Sequence, residues 1–81
     1  MKHRFSKGFL DELDSFPVLI EKKFQKQLKF LLSDIRYPSL RAKKYLENKG
    51  VWQARVDDNV RFYFTIEGDT YVLVNIKYHP K

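Results

Sequence analysis

Arg55, Arg61, Lys77 and His79 are the side chains whose types and spacing could do chemistry in this sequence. Arginine grips a phosphate through two parallel N–H donors. Histidine is the residue type whose ordinary charge change falls near neutral pH, so it can carry a proton. Gln53, Tyr63, Thr65 and Tyr71 lie among them, and tyrosine rings offer surfaces on which nucleobases stack. If the chain brings these groups together, they can hold a phosphate, stack a base and move a proton. Whether they meet depends on the strands that carry them.

After Gly50 the apolar residues alternate with polar ones, the period of a half-buried strand. Trp52, Ala54 and Val56 form one apolar row, and Val60, Phe62, Phe64 and Ile66 form the next. Val72, Val74 and Ile76 form a third. Asp57-Asp58-Asn59 and Gly68-Asp69 read as the turns between them. With the first turn at 57–59, Val56 pairs with Val60 and Arg55 faces Arg61. Like charges opposed across strands are destabilising, so an anion contacted by both explains them best. The competing reading pairs each arginine with Asp57 or Asp58. A second turn of odd length keeps Val72, Val74 and Ile76 on the apolar side. It then puts Tyr71, Lys77 and His79 on the face of Arg55 and Arg61. Trp52 reads as core, and a purely solvated His79 is the plain alternative to a functional one.

The first half of the chain is helical in pattern. Ser6 is an N-cap for a short helix with Phe9, Leu10, Leu13 and Phe16 on one side. Pro17 opens a second helix of about 17 residues, in which Ile20, Phe24, Leu28, Leu31 and Ile35 recur at three- or four-residue steps. Lys22, Lys23, Lys26 and Lys29 fall largely on its other side, and Pro38 marks its end. Residues 2–5 are a candidate strand, and residues 39–50 read as a basic connection. The expected architecture is α+β: two N-terminal helices packed on one face of a three- to four-stranded antiparallel sheet, in one domain over residues 1–81.

Charge and composition narrow the function. The net charge is +6 on 81 residues, and residues 36–61 hold seven basic side chains against three acidic ones. That central block points to phosphate or another acidic partner, against the simpler reading of a solvated surface. With no cysteine, disulfides, thiol catalysis and thiolate metal sites are ruled out, and His3 and His79 cannot build a zinc site alone. No apolar run approaches the roughly 20 residues that span a bilayer, and residues 1–5 lack a signal-peptide core. The expectation is a cytoplasmic domain with no metal and no cofactor. RNA suits the exposed strand face better than duplex DNA, because no recognition helix is apparent.

The segments VWQARV, VRFYFTIEGD and YVLVNIKYHP, in that order, resemble the core of the RelE/ParE superfamily of bacterial toxin–antitoxin toxins. FSKGFLDELDSFP, the long helix and YPSLRAKK are similar to that family's front half. The resemblance implies a small basic toxin held inactive by a cognate antitoxin. In the RelE-like branch it implies metal-independent mRNA cleavage, often on the ribosome, by attack of a 2′-hydroxyl on the adjacent phosphate. Arg55 then matches a phosphate-contacting basic residue, Arg61 the arginine that stabilises the transition state, and His79 the general acid or base. Lys43, Lys44 and Lys49 would bind RNA backbone, with Gln53, Tyr63 and Lys77 on the strand face beside them. Two positions depart from the family pattern. Gln53 stands where strongly ribonucleolytic relatives often have a lysine. Many relatives also carry a tyrosine several residues beyond the last strand, whereas this sequence stops at Lys81; Tyr78 is the candidate substitute, but its alternation points it to the core side. The alternative is a non-catalytic toxin-fold binding module, a gyrase inhibitor or an antitoxin-binding protein. A third reading is an RNA-binding domain without toxicity.

Overall fold

A computed structural model describes residues 1–80. The elements run β1 (Lys2–Phe5), α1 (Lys7–Asp14), α2 (Val18–Ser33), β2 (Lys43–Leu46), β3 (Val51–Arg55), β4 (Val60–Glu67) and β5 (Thr70–Tyr78). The strands form one five-stranded sheet in the order β1-β5-β4-β3-β2. The fold is α+β, with two helices against the sheet as the periodicities predict. The sheet is larger than the three or four strands expected, and it is mixed: β1 pairs parallel to β5. The fifth strand, β2, arises within the segment read as a connection, between short 3-10 turns at Pro38–Leu40 and Glu47–Lys49.

Local chemistry explains the helices. Ser6 caps α1, its hydroxyl accepting from the Phe9 N–H at 3.0 Å. The same hydroxyl donates to the Val74 carbonyl at 3.3 Å, so the cap also ties α1 to β5. Pro17 sits at the N-cap of α2, so the helix begins at Val18, one residue later than expected. Phe9 and Leu13 of α1 and Phe24, Leu28 and Leu31 of α2 bury against Ala54, Val60, Phe62 and Phe64. Phe24 stands 5.1 Å from the Phe9 ring and 5.3 Å from Phe62, edge-on to the latter.

The expected parity of β5 is corrected by the structure. The β4–β5 turn holds two residues, Gly68 and Asp69, and places Glu67 opposite Thr70. Gly68 takes φ +61°, which glycine supplies without steric cost. This even turn puts Tyr71 and Leu73 on the core side, at 5% and 0% exposure, rather than on the open face. The Tyr71 ring lies edge-on to Phe64 at 5.4 Å. A β-bulge then restores the phase: Phe64 faces Leu73, whereas Tyr63 faces Asn75, leaving Val74 as the extra residue. Ile76 therefore returns to the core, and Lys77 comes opposite Arg61.

Phe62 is fully buried at the centre of this packing. Phe62→Ala is expected to cost about 3–5 kcal/mol of unfolding free energy, the usual range for a buried phenylalanine. A shift in the denaturation midpoint at constant slope would show it, and a loss below about 1 kcal/mol would contradict this core assignment.

Candidate nucleic-acid interface

The face of the sheet away from α2 carries two rows of side chains. Cα register aligns Arg55, Arg61 and Lys77 across β3, β4 and β5. It aligns Lys43, Gln53, Tyr63 and Asn75 across β2 to β5. The predicted opposition of Arg55 and Arg61 is present. A cleft of about 270 Å³ opens beside them, lined by Arg41, Lys43, Gln53, Arg55, Arg61 and His79. Four of these side chains are cationic and none is a carboxylate. A larger cleft of about 520 Å³ lies on the far side of Arg41 and Arg55, which line both, and adds Lys23 and Lys26.

The turn between β3 and β4 holds this site. Asp57 Oδ1 accepts from the N–H groups of Asn59 and Val60, both at 2.9 Å, and Oδ2 meets Lys23 Nζ at 3.3 Å. Arg61 Nη1 donates to the Asp57 carbonyl at 2.6 Å and to the Val60 carbonyl at 3.2 Å. The His79 N–H donates to the Asn59 carbonyl at 2.7 Å, fixing the segment after β5 against the same turn. Arg55 Nη2 is paired with the exposed carboxylate of Asp58. Unaided sharing of an anion is therefore not the whole account of the two arginines. Asp58 offsets one charge, and turn carbonyls orient the other.

The helices fix the strands from two sides. Gln27 of α2 is buried among apolar neighbours, and its Nε2 donates to the Arg55 carbonyl at 2.8 Å and the Ser39 carbonyl at 3.1 Å. Its Oε1 accepts from the Ser39 hydroxyl at 3.1 Å. One amide thus joins α2, the end of β3 and the 3-10 turn that leads into Arg41. Arg41 itself has φ +44°, a left-handed backbone that turns the chain into the cleft wall. On the other side, Glu12 of α1 accepts from Asn75 Nδ2 at 3.0 Å and the Ile76 N–H at 3.2 Å, and meets Lys77 Nζ at 3.2 Å. Burial alone would raise the Glu12 pKa. The hydrogen bonds from Asn75, Lys77 and Ile76 outweigh it and hold the carboxyl below its ordinary value. Asp57 behaves alike: burial opposes ionisation, and the Asn59, Lys23 and Val60 donors overcome it. Burial, reinforced by Tyr45, raises the Tyr63 pKa and keeps its phenol protonated.

Of the residues singled out in the sequence, Lys43, Gln53, Arg55, Arg61 and His79 come together in one cleft. Tyr63 and Lys77 lie beside it on the same face, with Lys77 engaged by Glu12. Lys44 points to the other side, its ammonium 5.9 Å from the Trp52 ring. Lys49 sits in the turn before β3, at the opposite end of that strand from Arg55. Arg41 and Gln27 were not singled out. A glutamine three residues after Phe24, on the apolar stripe of α2, is the signal that would have found Gln27. Tyr78 keeps to the core side as its alternation requires, its ring 4.8 Å from Phe16.

Two helices thus pack on a five-stranded sheet, and a cationic cleft opens on its other face. No protein-family model and no curated protein matches the sequence. Solved structures do. A YoeB/ParE toxin from Agrobacterium tumefaciens superposes with a TM-score of 0.82 at 13% identity, over 99% of this chain and 100% of that one. The YoeB–YefM complex from Staphylococcus aureus gives 0.78 at 19% identity, over 99% and 98%. The RelBE2 toxin–antitoxin complex from Mycobacterium tuberculosis gives 0.74 at 19% identity, over 96% of each chain. The chain shares the fold of these solved toxins.

Two outcomes are expected from this geometry. Gln27→Met leaves two part-buried carbonyls without their donor; a buried acceptor so orphaned costs about 1–3 kcal/mol, so urea denaturation should show a loss up to about that range. Because Glu12 and Asp57 have lowered pKa values when folded, their stabilisation is complete above the ordinary values of 4.5 and 3.8. It is lost as pH falls through the lower folded values. Glu12→Gln should flatten the acid limb of a stability–pH curve, and an unchanged limb would contradict the assignment.

Proposed function

We propose that the protein is the toxin of a toxin–antitoxin pair and that it cleaves RNA in the cytoplasm. The observation that carries this reading is the cleft lined by Arg41, Lys43, Arg55, Arg61 and His79, with no carboxylate in its wall. A phosphate is the group that such a wall favours. In the reaction, the 2′-oxygen bonds to the adjacent phosphorus and the bond to the 5′-oxygen breaks. A 2′,3′-cyclic phosphate and a 5′-hydroxyl result. Arg61, held by turn carbonyls, neutralises charge developing on the non-bridging oxygens. Arg55 contacts the same phosphate, exchanging its exposed Asp58 partner for it. His79 is the proton carrier, taking the 2′-hydroxyl proton or supplying one to the leaving oxygen. Lys43 and Gln53 position the strand. Lys44 and Lys49, from their outlying positions, contact more distant backbone or the ribosome. The partners are mRNA, the ribosome and a cognate antitoxin. The fold shared with toxins solved in antitoxin complexes supports the last.

One observation favours a second reading. Arg55 is already paired with Asp58, so the site would also serve a binding module that receives an antitoxin segment or acts on gyrase.

Incubating the purified chain with mRNA, with and without ribosomes, separates the two. Cleavage with cyclic-phosphate ends is expected. Arg61→Ala should slow it by about 10²–10³-fold, as for loss of one transition-state donor, and His79→Ala by about 10²–10⁴-fold. Cells expressing either variant should regain translation. Undiminished toxicity in both would overturn the residue roles, and toxicity without RNA cleavage would establish the binding module.

A further inference from the structure

The sheet contains two bulges, and both converge on Tyr63. In β2, Lys44 faces Trp52 but Leu46 faces Val51, so the intervening Tyr45 is extra. Alternation alone would send Tyr45 and Leu46 to opposite faces, whereas the bulge brings both to the open one. In β5 the extra residue is Val74, and the bulge there presents Val74 and Asn75 together. The four side chains surround a recess of about 210 Å³ that includes Tyr63 and Lys77. The Tyr45 and Tyr63 ring centroids are 5.0 Å apart at 57°. Val74 and Leu46 supply apolar walls. The polar end is fixed, because Glu12 holds Asn75 Nδ2 and Lys77 Nζ, and the acceptor that Asn75 keeps for a ligand is its Oδ1. The recess lies below the roughly 300 Å³ of a drug-sized pocket. Its scale and its aromatic floor suit one flat, edge-polar ring.

Its position says which ring. Tyr63 follows Arg61 by two residues on the same face of β4, a separation of about 7 Å. A nucleotide whose phosphate lies between Arg55 and Arg61 can reach that distance with its base. We infer that this recess is a nucleobase subsite, in which one base of a single strand packs against the Tyr45 and Tyr63 rings and Asn75 reads its edge. The inference rests on the RNA reading above, and it adds Tyr45 as a residue that sets base preference rather than rate.

The test uses the intact chain and uncleavable probes, so it does not depend on catalysis. Fluorescent 2′-O-methyl hexamers of U, of A and of C are compared with an abasic hexamer of equal charge. The base-bearing probes should bind about tenfold or more tightly than the abasic one, within the range of one lost stack, and unequally among themselves. Tyr45→Ala should remove most of that advantage and leave abasic binding unchanged, while Tyr45→Phe retains it. Tyr45 is half-exposed on an edge strand, so both variants fold, and a thermal melt confirms it. Equal loss on base-bearing and abasic probes overturns the inference, as does no loss at all. Loss of antitoxin binding alone would assign the recess to a protein side chain and also overturn it. Failure of the cleavage reading shows separately, as no cleavage of mRNA by the unaltered chain with or without ribosomes.

Discussion

Everything on the open face follows from one parity constraint. Ala54 and Val56 must be buried on one strand and Val60 and Phe62 on the next. A three-residue turn between them then forces Arg55 and Arg61 to face each other on the other side. The opposition is unfavourable between bare guanidinium groups, and the turn is built to moderate it. Asp58 reaches Arg55, and the Asp57 carbonyl orients Arg61. Asp57 in turn organises the loop through Asn59, Val60 and Lys23. The core therefore sets where the two cations stand, and three turn residues set how their charge is presented.

The helices have a second role beside covering the core. Each sends one polar side chain to the sheet at a place where backbone groups lack a strand partner. Glu12 takes the Ile76 N–H on β5, beyond the point where β1 ends. Gln27 donates to the Arg55 carbonyl where β3 runs into the turn. Both bonds act at the margins of the cationic row, so the packing that stabilises the fold also fixes where Arg55, Asn75 and Lys77 stand. The buried Gln27 amide is tolerable there because, among the described residues, no buried side-chain nitrogen or oxygen lacks a hydrogen-bond partner.

Much of this was legible in the sequence because periodicity is a local signal. The Ser6 cap, the stripe of α2 and the pairing of Arg55 with Arg61 all follow from spacings of a few residues. What was not legible depends on choices that spacing leaves open. An odd turn and an even turn with a later bulge both return Ile76 to the core, and they differ in whether Val72 and Val74 or Tyr71 and Leu73 lie on the core side. Gly68 at positive φ selects the tight even turn, and Val74 absorbs the extra step. β2 was hidden because Lys43-Lys44-Tyr45-Leu46 is short, bulged and exposed on both sides, without alternation to betray it. Arg41 and Tyr45 were invisible for the same reason, since irregular backbone decides where each points.

The parallel pairing of β1 with β5 has a consequence for how the protein comes into being. Lys2 to Phe5 align with Thr70 to Leu73, so this contact joins segments more than sixty residues apart in sequence. Such pairings form late, because the closure of the intervening loop must be met before the contact contributes. The helices and the β4–β5 hairpin can assemble from local signals, whereas the β1 edge of the sheet is secured only when distant segments meet. The strands that carry Arg55, Arg61 and Lys77 are joined by short turns, and the parallel contact closes the sheet on the edge away from Arg55 and Arg61.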